Sequence, residues 1–271
     1  MAGGEKILRV CILGATGRMG SAVAAEINSN YKGRVEIVAG VTAEPFEKGA
    51  KVAGTNAPLY PPSELSKAIA DADCTISFTT PEAEASNVPV IAAAGKNIVI
   101  GTTGMNEAQL STVRKAIERS KGCAVIASNF SPLVNTQIYL AKRAAEILGP
   151  LGYDFGIIEE HHTGKKDAPS GTAKTMANMV IGAKACDKVI YRKEEMRVKE
   201  KGELDMCVLR LGGTPGQHEL RVVGKHGRLI IESLMYSRSE FASGAIQSAL
   251  WLAKNGKPGR IYGIAEILGI G

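Results

Sequence analysis

Short apolar runs with little alternation punctuate the first half of the chain, at residues 7–13 (ILRVCIL), 35–41 (VEIVAGV), 74–78 (CTISF), 97–101 (NIVIG) and 123–128 (CAVIAS). Such runs are the mark of strands buried on both faces of a parallel sheet, and helix-compatible sequence separates them, as in repeated βα units. From residue 133 to 148 the pattern changes to a helical period carried by Val134, Ile138, Ala141, Ala145 and Leu148, which predicts a helix linking two domains. A strand at 153–160 (YDFGIIEE), a helix over about 169–184 and a charged connection, YRKEEMRVKEKGELD, follow. The segments LDMCVLRL, HELRVVG and RLIIESLMY, the last two joined by a KHG turn, then read as an antiparallel meander. A final helix at 240–253 and the tail IYGIAEIL are expected to return to the first domain. The change from alternating βα units to a meander predicts an α/β protein. Its parts are a Rossmann-type domain (1–131 with 239–271) and an α+β domain with a mainly antiparallel sheet (132–238).

Composition narrows the function classes. The 271 residues are 45% hydrophobic and 22% charged, which suits an ordinary soluble protein with room for two cores. No apolar run reaches the length of a membrane span, and MAGGEKILRV lacks a signal-peptide pattern, so a cytoplasmic protein is expected. The five cysteines (Cys11, Cys74, Cys123, Cys186, Cys207) are scattered without C-x-x-C spacing, which suggests neither a disulfide framework nor a zinc site. A net charge of +6 could serve nucleic acid or small anions; with only 5% aromatics and dispersed basic residues, it favours small anions over nucleic acid.

Directly after the first predicted strand comes GATGRMG, ahead of the helix-compatible SAVAAEI. Strand, glycine turn and helix form the setting of a dinucleotide pyrophosphate: Gly14 makes the turn, Gly17 admits the phosphates and Gly20 allows close helix packing. The end of the second strand usually carries an acid for the adenosine ribose, but here Thr42, Ala43 and Glu44 follow it, which leaves NADH or NADPH open. Lys48 and Lys51 read as residues of a solvated loop. The remaining strand ends, FTTPE with Phe78 and Thr79, GTTG with Gly101, Thr102 and Thr103, and SNFS with Ser128, Asn129 and Phe130, are small and polar enough to hydrogen-bond a nicotinamide and ribose, although any βα loop favours such residues.

The densest chemistry lies in EEHHTGKKDAPSGTA, residues 159–173. His161 and His162 can exchange protons near neutral pH, Lys165 and Lys166 can neutralise carboxylates, and Pro169 is expected to open a helix. The N–H groups of Ser170, Gly171 and Thr172 would then face an anion, which Gly171 lets approach closely. Adjacent side chains of a strand point to opposite faces, so His161 and His162 can share a pocket only if the strand has ended there.

Through GATGRMG, FTTPE, GTTG, SNFS, the HH…K.DAPSGTA string and the late SRSEFASGAIQSALWL, the chain resembles dihydrodipicolinate reductase, also called 4-hydroxy-tetrahydrodipicolinate reductase. The resemblance spans nearly the whole chain. It implies reduction of a cyclic unsaturated dicarboxylate by NADH or NADPH in lysine (diaminopimelate) biosynthesis. A homotetramer built through the substrate domain's sheet is also implied, with a plastid stroma location if the protein is of processed plant type. By position, the resemblance makes His161 the general acid/base and Lys165 a second proton donor and substrate contact. His162, Gly171 and Thr172 bind the substrate carboxylates, with Ser170 beside them. Gly14, Ala15, Thr16, Gly17, Arg18 and Met19 line the cofactor, as do Gly101, Thr102, Thr103 and the segment Ala127, Ser128, Asn129 and Phe130. Arg238 and Phe241 reach it from the returning segment. Family members often carry an acid where this chain has Thr42. Rival readings are a dehydrogenase of acyclic amino or keto acids, a Schiff-base lyase using Lys165, and a nucleotide-binding redox sensor without chemistry.

Overall fold

A strand that is apolar on both sides is stable only where both faces are covered, and the computed structural model, which describes residues 6–191 and 197–270, covers them with helices. In chain order come β1 (Leu8–Leu13), α1 (Arg18–Asn30), β2 (Val35–Val41), β3 (Leu59–Tyr60), α2 (Leu65–Ala68), β4 (Cys74–Ser77), α3 (Pro81–Ala93), β5 (Asn97–Ile100), α4 (Glu107–Glu118) and β6 (Ala124–Ile126). They are followed by α5 (Pro132–Leu148), β7 (Asp154–His161), α6 (Gly171–Gly182), β8 (Lys188–Ile190), β9 (Glu203–Arg210), β10 (Gln217–Val223) and β11 (Arg228–Leu234). The last elements are α7 (Ser239–Asn255), β12 (Ile261–Tyr262) and α8 (Ile264–Leu268). Two units result, one running to Ser131 and resuming over Arg238–Gly269, the other spanning Pro132–Ser237.

The first unit is a seven-stranded parallel sheet in the order β12-β6-β5-β4-β1-β2-β3. Alternate residues of β1 serve opposite layers. Val10 and Ile12 pack with Val23, Ile27, Ala245 and Ile246 of α1 and α7, whereas Cys11 and Leu13 pack with residues of α2, α3 and α4. The tail returns as expected, β12 adding to the sheet beside β6. Strands β3 and β8 are too short to leave a pattern in the sequence.

The second unit corrects the expected meander. Its five strands lie in the order β11-β10-β7-β9-β8; β10 is antiparallel to β11 and β7, but β7 with β9 and β8 with β9 are parallel, so the sheet is mixed. The three late segments are not consecutive neighbours, because β7 lies between β9 and β10. Period-two alternation tells which face of a strand is buried; it carries no information on which strand lies beside it or in which direction. After β7 the chain crosses over through α6, and a helical crossover is what a parallel neighbour requires. The KHG turn does close the β10–β11 hairpin, with the Gly224 N–H donating to Gly227 O at 2.9 Å. Within the charged connection, residues 192–196 lie outside the described residues.

One face of this sheet carries the core. The strand register aligns Val222, Phe155 and Leu204 in one row and Leu220, Ile157 and Met206 in the next, all buried against α5 and α6. Continuing along β7, the same face turns polar.

Candidate active site

In the first unit the glycine turn builds a cradle. Gly14 takes φ +76° and its N–H donates to Val41 O at 2.9 Å; a Cβ there would stand 2.4 Å from Phe78 O. Gly17 caps α1 without a side-chain hydrogen bond, which leaves the first-turn N–H groups of that helix for an anion. A cavity of about 480 Å³ lies beside this turn, lined among others by Gly14, Thr16, Gly17, Thr42, Phe78 and Thr79. A glycine cradle at a helix start beside a cavity of this size fits a dinucleotide.

The other cofactor candidates do not line that cavity but lie around it or are tied to it. Ala15 is buried with its N–H on Val41 O at 3.0 Å, Arg18 is exposed at the start of α1, and Met19 packs on the core. Thr102 is buried and accepts from the Thr79 N–H at 2.9 Å, Gly101 packs on the Phe78 ring, and Thr103 is exposed. Phe130 meets Phe78 edge-on at 6.1 Å, which draws the segment with Ala127, Ser128 and Asn129 towards the FTTPE loop. Arg238 and Phe241 open α7, where Glu240 accepts from the Ser131 hydroxyl at 3.0 Å. Thr42 is buried, and its hydroxyl is already engaged by Thr16 at 2.6 Å and by the Glu44 N–H at 3.1 Å.

Beneath these loops lies Glu84, a fully buried side chain that the motifs do not single out. Its Oε1 accepts hydroxyls from Ser77, from Thr79 at 2.7 Å and from Thr102 at 2.9 Å, joining the ends of β4 and β5.

In the second unit β7 carries the candidate groups. The strand runs through His161, so His161 falls on the same face as Glu159, while Glu160 points away and accepts from the Thr214 hydroxyl at 2.6 Å. The register sets His218 of β10 opposite Glu159, and Arg210 of β9 opposite His161. His162 stands just beyond the strand, half-buried, with its N–H on Thr214 O at 2.8 Å.

The helix start differs from the sequence expectation. Pro169, preceded by a cis peptide, is outside the helix; Ser170 is the N-cap, its Oγ accepting from the Ala173 N–H at 3.2 Å. The Ser170 N–H is also not open to an anion, because it donates to both Glu159 oxygens at 3.1 and 3.0 Å. Gly171 is exposed, and a Cβ there would meet nothing within 4 Å, so the approach to its backbone is clear. Lys165 pairs with Asp167 at 2.8 Å, whereas Lys166 is exposed.

Glu159 is the hub. Its carboxylate takes the Ser170 N–H and Arg210 Nη2 at 3.1 Å, and its Oε2 lies 3.8 Å from His161 Nδ1 and 3.7 Å from His218 Nε2. Burial opposes its ionisation, but the hydrogen bonds from Ser170 and Arg210 prevail and hold the carboxyl below its ordinary range. Burial lowers the His161 pKa, with Glu159 and Asp167 opposing the shift and Lys165 and Arg210 adding to it. His218 is pushed down to about 4, first by burial and then by the neighbouring His161. The two rings stand 5.1 Å apart, so one proton between them is favoured over two. Glu159, His161 and His218 also present three possible metal-ligand atoms within 4.8 Å of one another. A divalent cation there would compete with Arg210 for the carboxylate and meet the Lys165 charge nearby.

Glu159, Arg210 and His218 escaped the motif reading. The partnership of Glu159 with Arg210 spans 51 residues of sequence and that with His218 still more, and no local pattern links them. The only available signal was a charged or imidazole group at a buried-face position of each strand.

Comparison with known proteins finds matches over both units. Residues 8–130 match the family model described as dihydrodipicolinate reductase, N-terminus, and residues 134–268 match the one described as dihydrodipicolinate reductase, C-terminus. A 4-hydroxy-tetrahydrodipicolinate reductase of Methanosarcina barkeri is 33% identical over 270 residues, covering 97% of this chain and 100% of that protein. One from Natronomonas pharaonis is 36% identical over 249 residues, covering 91% and 95%. Among solved structures, a dipicolinate-bound dihydrodipicolinate reductase from Paenisporosarcina sp. TG-14 superposes with a TM-score of 0.78 at 24% identity, covering 96% of this chain and 99% of that one.

Proposed function

The chain belongs to the dihydrodipicolinate reductase family and is an NAD(P)H-dependent oxidoreductase that forms tetrahydrodipicolinate in lysine and diaminopimelate biosynthesis, and on that premise we propose how its residues divide the reaction. The unit holding the glycine turn (1–131 with 239–271) binds the dinucleotide, and the unit 132–238 binds the dicarboxylate and assembles the oligomer. Gly14, Gly17 and the first turn of α1 receive the pyrophosphate, and the loops bearing Phe78, Thr79, Thr102 and Phe130 receive the nicotinamide end. When bound, the dinucleotide supplies a hydride to the substrate ring. Hydride addition pushes electrons onto that ring, and a proton must follow. His161 gives it, with Lys165 as second donor and charge contact; His162, Gly171 and Thr172 hold the carboxylates, with Ser170 fixing the helix start behind them. The observation that carries this reading is the group of buried Glu159, His161 and His218 with half-buried Arg210 at the end of β7, with Lys165 close enough to depress His161. A Schiff-base lyase would need a free amine, but the Lys165 ammonium is ion-paired with Asp167 at 2.8 Å.

The adenosine end of the cavity favours NADH. Thr42 has no free hydroxyl to offer, and Glu44 and Glu82 are the only charged residues lining the cavity among the described residues, so a ribose diol is accepted and a 2′-phosphate repelled. Exposed Leu229, Ile230 and Leu234 on the edge strand β11 support a homotetramer built through the second sheet. Among the described residues no helix is long and apolar enough to cross a membrane, in keeping with a cytoplasmic role.

The test is absorbance-monitored oxidation of NADH and NADPH in parallel, with the unstable substrate generated in place from pyruvate and aspartate semialdehyde. Rapid oxidation, faster with NADH at subsaturating cofactor, is the expected result. No oxidation with either cofactor, given demonstrated substrate formation, overturns the assignment; preference for NADPH overturns the role given to Glu44.

A further inference from the structure

The reading of His161 as proton donor leaves open which ring nitrogen acts and what holds the ring. His161 Nδ1 is buried and has no hydrogen-bond partner among the described residues, a costly state for either a donor or an acceptor. Glu159 Oε2 lies 3.8 Å from it, somewhat beyond hydrogen-bonding range, and catalytic hydrogen bonds commonly shorten when substrate binds. Glu159 itself cannot drift. Ser170 N–H and Arg210 Nη2 pin its carboxylate from two directions, and Arg210 also donates to Asp167 O.

The same Oε2 lies 3.7 Å from His218 Nε2, so the two imidazoles could compete for it. Ser170 bears on that competition. Its Oγ accepts from the Ala173 N–H and stands 3.0 Å from His218 Nε2, to which it donates in the tautomer that carries the His218 proton on Nδ1. A His218 that accepts at Nε2 makes no demand on the carboxylate, and the depressed affinity of His218 for a second proton agrees with that state. The other side of the His161 ring faces Gly216, where a Cβ would stand 3.2 Å from Nε2. Any side chain at that position would crowd the nitrogen that the carboxylate does not approach.

We propose that Glu159 is the positioning residue of the reductase: it orients His161 with the proton on Nδ1, so that Nε2 is the atom that exchanges a proton with the substrate. Ser170 completes the device by keeping His218 off Oε2, so that of the two imidazoles only His161 makes a demand on it. The proposal rests on the reading of His161 as the acid. The charged and titratable groups around the ring are Glu159 on its own strand, His218 on β10, Arg210 on β9, and Lys165 and Asp167 on the following loop. Of these, Glu159 and Asp167 favour the protonated ring, and the half-exposed Asp167 is engaged by Lys165.

Two measurements decide it. In wild-type protein with ¹⁵N-labelled histidine and dipicolinate as probe, the neutral His161 ring, assigned by its loss in His161→Gln, is expected to carry its proton on Nδ1. A ring protonated on Nε2 overturns the proposal, and this readout does not depend on any Glu159 variant folding. In Glu159→Gln, kcat is expected to fall about tenfold or more with KM changed less than about threefold. The pH above which activity is lost should move down by about one unit, because the carboxylate no longer favours the protonated ring. Glu159→Asp is expected to restore part of that shift. A fall in kcat with an unmoved pH profile means a structural role only and overturns the proposal. Full turnover in His161→Gln would instead overturn the reading beneath it, so the two failures are distinguishable.

Discussion

Two glutamates with no exposed surface, Glu84 in the first unit and Glu159 in the second, are held by different kinds of group. Glu84 is held by three hydroxyls, those of Ser77, Thr79 and Thr102, and makes no ion pair among the described residues. Glu159 is held by a guanidinium and a backbone N–H, and two imidazoles stand within 4 Å of it. Each arrangement matches the task nearby. The loops assigned to the dinucleotide need a fixed shape, and hydroxyls converging on one carboxylate fix three chain positions with little effect on any neighbouring proton. The site proposed for proton transfer would need its charges set, and its carboxylate sits among groups that titrate.

The comparison is broken most directly at Arg210. Arg210→Ala leaves the Glu159 carboxylate buried without its cation and is expected to cost about 3–5 kcal/mol in denaturant unfolding. A loss below about 1 kcal/mol would mean that the Ser170 N–H suffices, making Glu159 more like Glu84 than it looks.

The second test is pH. His218 in the folded protein protonates only near 4, while the unfolded chain takes up that proton near 6.5. The folded state therefore binds fewer protons between these values, and stability is full above about 6.5 and falls as the pH drops towards 4, by on the order of 3 kcal/mol. Glu159, whose pKa is depressed, adds a further loss that begins as the pH falls into the ordinary carboxyl range and grows below it. Unfolding titrations of wild type and His218→Asn should show the first slope in the former and a flatter one in the latter. Equal slopes would remove His218 from the account.

At the ring itself, His161→Gln should lower turnover about 10²-fold or more, equivalent to roughly 2.7 kcal/mol, with a smaller change in KM. Steady-state kinetics with the substrate generated in place would show it, and near-normal turnover would remove His161 as the donor. The smallest effect belongs to the hydroxyl-held carboxylate. Glu84→Gln keeps the volume and most of the acceptor capacity, so a stability loss of about 1–2 kcal/mol and a modest rise in dinucleotide KM are expected, with no change in the pH profile. A shifted profile would show that the two glutamates differ less than their partners suggest.

Much of the architecture was legible before any coordinates. The largely apolar runs at β1, β2, β4 and β5, with little alternation, suit a parallel sheet with both faces covered, and GATGRMG after β1 marked the anion cradle. The EEHHTGKKDAPSGTA segment pointed to proton transfer at an anion site because several groups suited to that chemistry were consecutive, and the structure sets His161 of that segment beside Glu159. Two local details differed: Pro169 lies outside the helix because Ser170 supplies the cap, and the Ser170 amide serves Glu159 instead of a ligand.

What the chain determined by itself was therefore whatever depends on neighbours in sequence: strand burial, the glycine turn, the β10–β11 hairpin and the concentration of His and Lys after β7. Only the tertiary structure decided that β7 lies between β9 and β10, making the second sheet mixed. That same placement brought His218 and Arg210 to Glu159 and hid Glu84 beneath the hydroxyls of two loops. The physical reason is that alternation specifies a face without specifying a partner. A buried carboxylate has to find its donors in three dimensions, from strands that the sequence keeps about fifty residues apart.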